Sequence, residues 1–268
     1  MLHRVTSAAN PLVKMLKSLH ARKGREETGL FLAEGARLAL EAADLGQWPA
    51  VMAVSPAALE RAPVATLARA AAARGVRVIE TTSALLGQIS KRDNPQTVLG
   101  AYPQRMRPLD EMSGDFFVAL EGVRDPGNLG TVLRTADCVG ASGLILLDQT
   151  CDPHSVEAVR ASMGSIFSTP VARASFPVFD AWRRARGHAL IGASLKGVLP
   201  HDAADAASPL VVMMGNEQSG LPEEMERACD ALVRIPMRGR ADSLNLAAAT
   251  AIMLYDVWRR RGYTGARR

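Results

Sequence analysis

Three polar loops in this sequence combine glycines with side chains that can hydrogen-bond to a ligand. They read EGVRDPGNLGTVLRTAD, MMGNEQSGLPEE and IPMRGRADSLNLAAAT. The first carries Asn128 and Arg134, the second carries Glu217, and the third carries Ser243 and Asn245. Glycine leaves backbone N–H and C=O groups accessible, and carboxylate and amide groups can orient a hydroxyl or a guanidinium. The loops therefore predict a ligand site built from three distant parts of the chain.

Each of these side chains also has a purely structural explanation. Ser243 and Asn245 precede the Ala-rich run LAAATAI and are residue types that cap helices. Arg134 is expected about one turn into a helix that opens at Gly130, where the helix macrodipole disfavours a cation. That position suggests a binding role for Arg134, but from these residues alone an exposed arginine whose stem covers apolar surface is the preferred interpretation.

The three loops are predicted to follow strands of a parallel sheet. Five apolar runs beyond residue 115 are continuous rather than alternating, as in strands covered on both faces, and helical stretches separate them. The runs are FFVALEG, GLILLD, ALIGAS, LVVMMG and ALVRIP. Open parallel sheets bind ligands beyond the carboxyl ends of their strands. The sequence thus predicts an α/β fold with the site at that edge.

A smaller α/β domain is predicted to precede this sheet. Asn10 and Pro11 are typical of a helix start, and the strand-like runs AVMAVS and VRVIE alternate with helical segments. A polar stretch with two prolines and a glycine then resembles a linker. We predict a first domain at 1–105, a linker at 106–114 and a second domain at 115–268.

Positive charge is concentrated at the two ends of a chain whose net charge is +5. The first 25 residues contain no acid, and the last ten contain five arginines and no acid. Such runs favour a polyanionic partner, with a merely solvated surface as the alternative. The six amino-terminal cations are Arg4, Lys14, Lys17, Arg22, Lys23 and Arg25.

Several classes of protein are disfavoured by what the sequence lacks. It has no apolar stretch long enough to span a bilayer and no signal-peptide block, so we expect a cytoplasmic protein. Three scattered cysteines and five histidines without ligand spacing predict neither a disulfide framework nor a metal site. The absence of GxGxxG argues against a nicotinamide-dependent dehydrogenase. The CDPHS segment is better explained as a helix-entry turn than as a catalytic triad.

In order and spacing, three motifs resemble the signatures of the SpoU/TrmH family, the RNA 2′-O-ribose methyltransferases of the SPOUT superfamily. The motifs are DPGNLGTVLRTAD, MGNEQSGL and IPMRGRADSLNLAAATAI, within residues 117–258. The segments VTSAANPLVKMLKSL, GLFLAEGARLALEA and NPQTVLGAY also resemble the small RNA-binding domain that many members carry. One departure is Val156–Glu157, where Pro-Lys is common in the family, and it puts the RNA target preference in question.

The resemblance implies a deep trefoil knot in the carboxyl-terminal sheet, S-adenosylmethionine as the methyl donor, and a homodimer with the site at the subunit interface. The residues themselves, rather than the resemblance, predict no metal and no membrane partner. The resemblance also implies two sets of site residues: Gly215, Ile235 and Leu244 as backbone contacts of the cofactor, and Asn128, Arg134, Glu217, Ser243 and Asn245 around the reacting ribose.

The implied reaction is methyl transfer from a sulfonium to a ribose 2′-hydroxyl, which needs in-line positioning and stabilisation of charge on the oxygen. For Arg134, an electrostatic clamp is preferred to a general base because guanidinium stays protonated in proteins. The expected substrate is structured RNA, ribosomal rather than transfer RNA because of the additional amino-terminal domain. Transfer RNA, and a non-catalytic RNA-binding protein of the same fold, are the alternatives.

Overall fold

The computed structural model describes residues 3–207 and 209–266, and the chain divides into two compact units. Unit 1 comprises the chain up to Gln104 together with His154–Phe167. Unit 2 comprises Arg105–Pro153 together with the chain from Ser168 onward.

The two units contain twelve described strands and twelve described α-helices. The strands are β1 His3–Val5, β2 Leu30–Glu34, β3 Val51–Val54, β4 Arg77–Thr81, β5 Val98–Pro103, β6 Phe116–Glu121, β7 Gly143–Leu147, β8 Val171–Ala174, β9 Ala189–Ala193, β10 Leu199–Pro200, β11 Leu210–Met214 and β12 Ala231–Arg234. The helices are α1 Pro11–Ser18, α2 Arg22–Thr28, α3 Ala36–Asp44, α4 Pro56–Leu59, α5 Ala62–Ala73, α6 Ser83–Ser90, α7 Pro126–Cys138, α8 Val156–Ser162, α9 Ser165–Ser168, α10 Phe176–Ala185, α11 Glu223–Ala228 and α12 Leu246–Arg260. A short 3₁₀ helix spans Leu109–Glu111.

Unit 1 is built on a mixed sheet with the strand order β1-β4-β3-β5-β2. Strand β5 runs antiparallel to β2 and β3, and the other pairs are parallel. The predicted first helix is confirmed, since Asn10 accepts a hydrogen bond from the Leu12 N–H at 2.9 Å and Pro11 begins α1. Val13 and Leu16 on its apolar face are buried in the unit's core.

The segment 154–167 belongs to unit 1, although its place in the chain assigned it to the second predicted domain. Its helix α8 contacts β2, where Arg160 pairs with the buried carboxylate of Glu34. Phe167 packs with Phe31 and Tyr102 in one apolar cluster. Local sequence patterns do not carry this information, because the helix packs against residues more than a hundred positions away.

Unit 2 is a seven-stranded sheet with the order β10-β12-β9-β11-β6-β7-β8, and its described pairs are all parallel. All five predicted strands are present, and β11 and β7 are buried at every position. The sequence missed β8 and β10. They are edge strands of four and two residues, too short to give a continuous apolar run.

The polar stretch predicted as a linker is part of unit 2. Leu109 and Met112 are buried in a core cluster of this unit, and the Arg107 N–H donates to the Val171 carbonyl at 2.8 Å. Prolines and charges dominate this stretch, but its two apolar side chains fix it to the sheet.

Within residues 3–207 and 209–266, no helix is long and apolar enough to cross a membrane. The same ranges contain no group of three or more His, Cys, Asp and Glu side chains placed to hold a metal ion. Cys138, Cys151 and Cys229 are free.

Candidate active site

The three polar loops follow β6, β11 and β12, which are parallel strands of one sheet. Parallel strands end at a common edge, so the loops meet there. The first leads into α7 and the third into α12, and these two helices pack against each other. The edge holds a cavity of about 420 Å³.

Asn245 is the N-cap of α12. Its Oδ1 accepts from the N–H groups of Ala247 and Ala248, at 2.9 and 3.2 Å. A backbone N–H can only donate, so these contacts fix the orientation of the amide. Its Nδ2 therefore points away from the helix and donates to Oδ1 of Asn128 at 2.9 Å.

The hydrogen-bond series continues from Asn128 to Glu217. Because Oδ1 of Asn128 is used as an acceptor, its Nδ2 is available to donate, and it meets Oε1 of Glu217 at 3.1 Å. Asn128 is itself held in the first turn of α7, where its N–H donates to the Asp125 N-cap at 2.6 Å. Asn245, Asn128 and Glu217, one residue from each loop, are thus linked by two hydrogen bonds. In each of them the side-chain nitrogen of one residue donates to the side-chain oxygen of the next.

The cavity beside this series is lined by the residues predicted to contact a cofactor. Gly215, Ile235 and Leu244 line it, together with Glu217 and Ser243. Its volume lies in the range of small-molecule sites. Asn128 and Asn245 are not among the residues that line it, but Asn128 hydrogen-bonds to Glu217 and Asn245 hydrogen-bonds to Asn128.

Gly215 forms part of the cavity wall at a place where only glycine fits. A Cβ there would lie 2.3 Å from the backbone carbon of Gly220. The two segments approach this closely because Asn216 and Gly220 exchange backbone hydrogen bonds of 3.2 and 3.0 Å. Glycine at position 215 thus allows two backbone segments, both of which line the cavity, to lie in direct contact.

Asn216 was not singled out from the sequence, although it organises the second loop. Its Oδ1 accepts from the N–H groups of Gln218 and Ser219, at 2.9 and 3.3 Å. Its Nδ2 donates to the carbonyl of Gly122, after β6. The side chain shapes the turn that presents Glu217 and ties it to the first loop.

The loop after β9 also contributes to the cavity, although no motif in the sequence marked it. Ser194 and Lys196 line the cavity and hydrogen-bond to Glu226, at 2.7 and 2.9 Å. The hydrogen bond from Lys196 holds the pKa of the Glu226 carboxyl below its usual range, and Ser194 adds to this shift. Strand β9 lies between β11 and β12, so the rule that located the other three loops applies equally to this one.

Arg134 is not placed where the sequence predicted it. Helix α7 begins at Pro126 rather than at Gly130, so Arg134 lies in its third turn and the helix-dipole argument does not apply. The side chain is exposed and does not line the cavity. Among the described residues it has no hydrogen-bond or ion-pair partner.

Arg25, one of the six predicted RNA-binding cations, is a buried structural residue. Its guanidinium donates to the carbonyls of Leu19 and His20, at 2.9 and 3.2 Å, where the chain turns into α2. An arginine enclosed in this way does not reach an external phosphate.

Most of the other amino-terminal cations have partners within unit 1. These contacts are Arg4 with Glu80, Arg22 with Glu26, Lys23 with Glu27 and Lys17 with Gln88. Glu26 and Glu27 follow directly after the acid-free stretch, one helical turn from the cations they pair with. Lys14 is exposed and makes no ion pair in the part of the chain that is described.

The fold and the site together define an α/β protein with a small-ligand cavity at the carboxyl edge of a parallel sheet and a separate mixed-sheet unit. Residues 115–255 match the SpoU rRNA Methylase family, and residues 10–100 match the MRM3-like substrate binding domain. The chain belongs to the SpoU rRNA methylase family.

Three relatives illustrate this similarity. An AdoMet-bound rRNA methyltransferase from Sinorhizobium meliloti has a TM-score of 0.89 and 46% identity, covering 97% of this chain and 98% of that one. The SpoU methyltransferase AviRb from Streptomyces viridochromogenes, in complex with AdoMet, has a TM-score of 0.82 and 29% identity over 96% of this chain and 100% of that one. The Bacillus subtilis 23S rRNA (guanosine(2553)-2′-O)-methyltransferase RlmP is 28% identical over 96% of this chain and 99% of its own length.

Proposed function

We propose that this protein transfers a methyl group from S-adenosylmethionine to a ribose 2′-hydroxyl of ribosomal RNA. The observation that carries the proposal is the hydrogen-bond series from Asn245 through Asn128 to Glu217, which joins the three family motifs beside the cavity. A protein that used this fold only to bind RNA has no need for a carboxylate oriented at a cofactor-sized cavity.

The cavity fits the proposed cofactor. Gly215 brings main-chain groups to its surface, and Ile235 and Leu244 supply apolar walls against which an adenine can pack. When bound, S-adenosylmethionine supplies an electrophilic methyl group on a sulfonium. Two AdoMet-bound relatives support this assignment.

We assign the polar residues of the site to two tasks. Glu217 and Ser243 are proposed to hydrogen-bond to an incoming ribose, and their place in the cavity lining supports this. Asn128 and Asn245 are proposed to position Glu217, since Asn128 hydrogen-bonds to it, Asn245 hydrogen-bonds to Asn128, and neither asparagine lines the cavity. Holding the hydroxyl in one orientation increases the fraction of encounters that are aligned for transfer.

Arg134 is proposed to stabilise negative charge on the 2′-oxygen or on a neighbouring phosphate while remaining protonated. We propose that it acts on the cavity of a second copy in a homodimer. Its exposure, its place in the third turn of α7 and its absence from the lining of the cavity in its own chain support this. So do Ile252 and Tyr255, large apolar side chains exposed on the neighbouring helix α12.

We also propose a chain topology, a set of RNA contacts in unit 1 and a cellular location. The chain that links β11 to α12 is proposed to be threaded as a trefoil knot, an arrangement that brings its loops to one cavity. Unit 1 is proposed to bind RNA through Arg4, Lys14, Lys17, Arg22 and Lys23, without the buried Arg25. The cytoplasm is the proposed location, in keeping with three free cysteines.

The test is methylation of an unmodified 23S ribosomal RNA transcript by the purified protein with S-adenosylmethionine. Mass spectrometry of the digested RNA is expected to show one 2′-O-methylated nucleotide. Its position identifies the target, which differs between RlmP and a Streptomyces viridochromogenes relative named for uridine 2479. Methyl groups found only on bases, or none at all with 23S RNA, would contradict the proposal.

A further inference from the structure

The loop from β12 into α12 exposes three arginines beside the cavity. Arg234 ends β12 and lines the cavity, and Arg238 and Arg240 follow on the loop. Met237 and Asp242, which flank the latter two, also line the cavity. All three arginine side chains are exposed at the mouth of the proposed active site.

Contacts among the described residues do not explain why these three arginines are present. Within residues 3–207 and 209–266, none of their guanidinium groups forms an ion pair or a hydrogen bond, and Asp242 on the same loop does not pair with them. By contrast, many exposed helical arginines meet an acid one turn away. Such pairs are Arg22 with Glu26, Arg37 with Glu41, Arg184 with Asp180 and Arg227 with Glu223. The loop therefore keeps uncompensated charge where a substrate must pass.

We infer that Arg234, Arg238 and Arg240 hold the phosphates that flank the target ribose. The inference rests on the proposed function and assigns part of its RNA contact. A ribose in RNA has a phosphate on each side, so a ribose at the cavity brings two phosphates to its rim. Guanidinium binds phosphate through paired, charge-assisted hydrogen bonds, and each such contact makes the affinity salt-dependent.

On this assignment the main electrostatic contact with RNA lies in unit 2, and the cations of unit 1 contribute less. The amino-terminal cations Arg4, Arg22 and Lys23 are already near carboxylates, which lowers the gain from a new anionic partner. The loop arginines carry no such compensation. Phosphates bound at this loop also fix the position of the RNA strand, and so determine which ribose lies beside Glu217.

The experiment measures RNA binding by a double variant, Arg238→Gln with Arg240→Gln, without methyl donor and over a series of salt concentrations. We expect affinity for the 23S transcript to fall about tenfold or more at low salt, and the salt slope to decrease by about 1.5. Affinity for S-adenosylmethionine, measured by calorimetry, is expected to stay at the wild-type value. Arg234 is varied separately because it lines the cavity.

A matched control removes the same charge from paired positions in the same unit, as Arg184→Gln with Arg227→Gln. This variant is expected to retain RNA affinity and salt slope. The double variant Arg238→Lys with Arg240→Lys is expected to keep the slope and lose part of the affinity, because lysine lacks the paired donors.

An unchanged salt slope in the Gln variant, or an equal decrease in the matched control, would overturn the inference. A weakened affinity for S-adenosylmethionine would also overturn it, by placing the arginines in the cofactor site. The failure of the proposed function is a separate result, since it shows in the wild-type protein as no methylated ribose.

Discussion

Asn245 uses one amide group for two purposes. Its oxygen caps α12, and its nitrogen orients Asn128 and through it Glu217. The residue types are typical of a helix start, so the cap could be predicted from the sequence. The second contact could not, because it depends on Asn128, 117 positions away.

Two substitutions at Asn245 separate these purposes. Asn245→Asp keeps the acceptor for the helix N–H groups but loses the donor to Asn128, so we expect normal thermal stability and at least a tenfold lower kcat. Asn245→Ala loses both and is expected to reduce the free energy of unfolding by about 1 kcal/mol as well. Thermal unfolding and single-turnover methylation measure the two effects. Wild-type turnover by the Asp variant would show that the series does not position Glu217.

Gly215 gives the second prediction at the scale of single residues. Gly215→Ala places a Cβ 2.3 Å from the backbone of Gly220, so the loop must open and the cavity wall must shift. We expect a loss of S-adenosylmethionine binding by about tenfold or more, with lower stability. Calorimetry measures the binding.

Gly239→Ala is the control for this substitution. Gly239 also follows a strand at the cavity, but a Cβ there meets nothing within 4 Å. Its affinity for S-adenosylmethionine is expected to equal that of the wild type. Equal losses in both variants would indicate that any change in these loops disturbs the site, rather than the close approach at Gly215.

At the scale of elements, the loop after β9 and helix α11 are joined by a carboxylate that titrates below its usual range. Glu226 is largely buried and accepts from Lys196 and Ser194. Its pKa is lowered in the folded protein, so its stabilising effect is complete above its ordinary value of 4.5 and is lost as the pH falls through the lower folded-state value.

Glu226→Gln tests this effect because glutamine can still accept from Ser194 but does not titrate. We expect the wild type to be more stable than the variant near neutral pH. The difference should shrink as the pH falls from about 5 to about 3. Denaturant unfolding across this range measures it. A difference that stays constant with pH would mean that the carboxylate charge does not contribute.

The elements differ in how well the sequence predicted them. Long apolar runs such as those of β7 and β11 are unambiguous, because strands buried on both faces need an apolar side chain at every position. Strand β8 is short and partly exposed, so it has no such signature. The first turn of α7 was missed because Pro126 and Gly127 were read as a loop, which shifted the expected place of Arg134.

At the scale of the whole molecule, chain order was a poor guide to which parts pack together. The acid-free stretch at the amino terminus suggested six free cations, but its acid partners lie at positions 26, 27 and 80. Helix α8 joins unit 1 through the buried Glu34. Both outcomes depend on tertiary contacts, whereas the three motifs could be assigned to one site because strand ends share an edge.

The proposed dimer makes a prediction that two inactive variants can test together. Arg134→Ala and Glu217→Gln are each expected to lose most methylation activity. If Arg134 of one copy serves the cavity of the other, a mixed dimer contains one cavity with both changes and one with neither. Purified mixed dimers are then expected to show about half of the wild-type activity, because one of their two cavities is intact. If Arg134 instead acts on the cavity of its own chain, each cavity of a mixed dimer contains one of the two substitutions, and mixing restores no activity. To distinguish these outcomes, differently tagged copies are co-expressed, the mixed dimers are isolated by tandem purification, and their activity is measured in the 23S RNA assay. Mixed dimers of wild type and Glu217→Gln, prepared in the same way, serve as the reference.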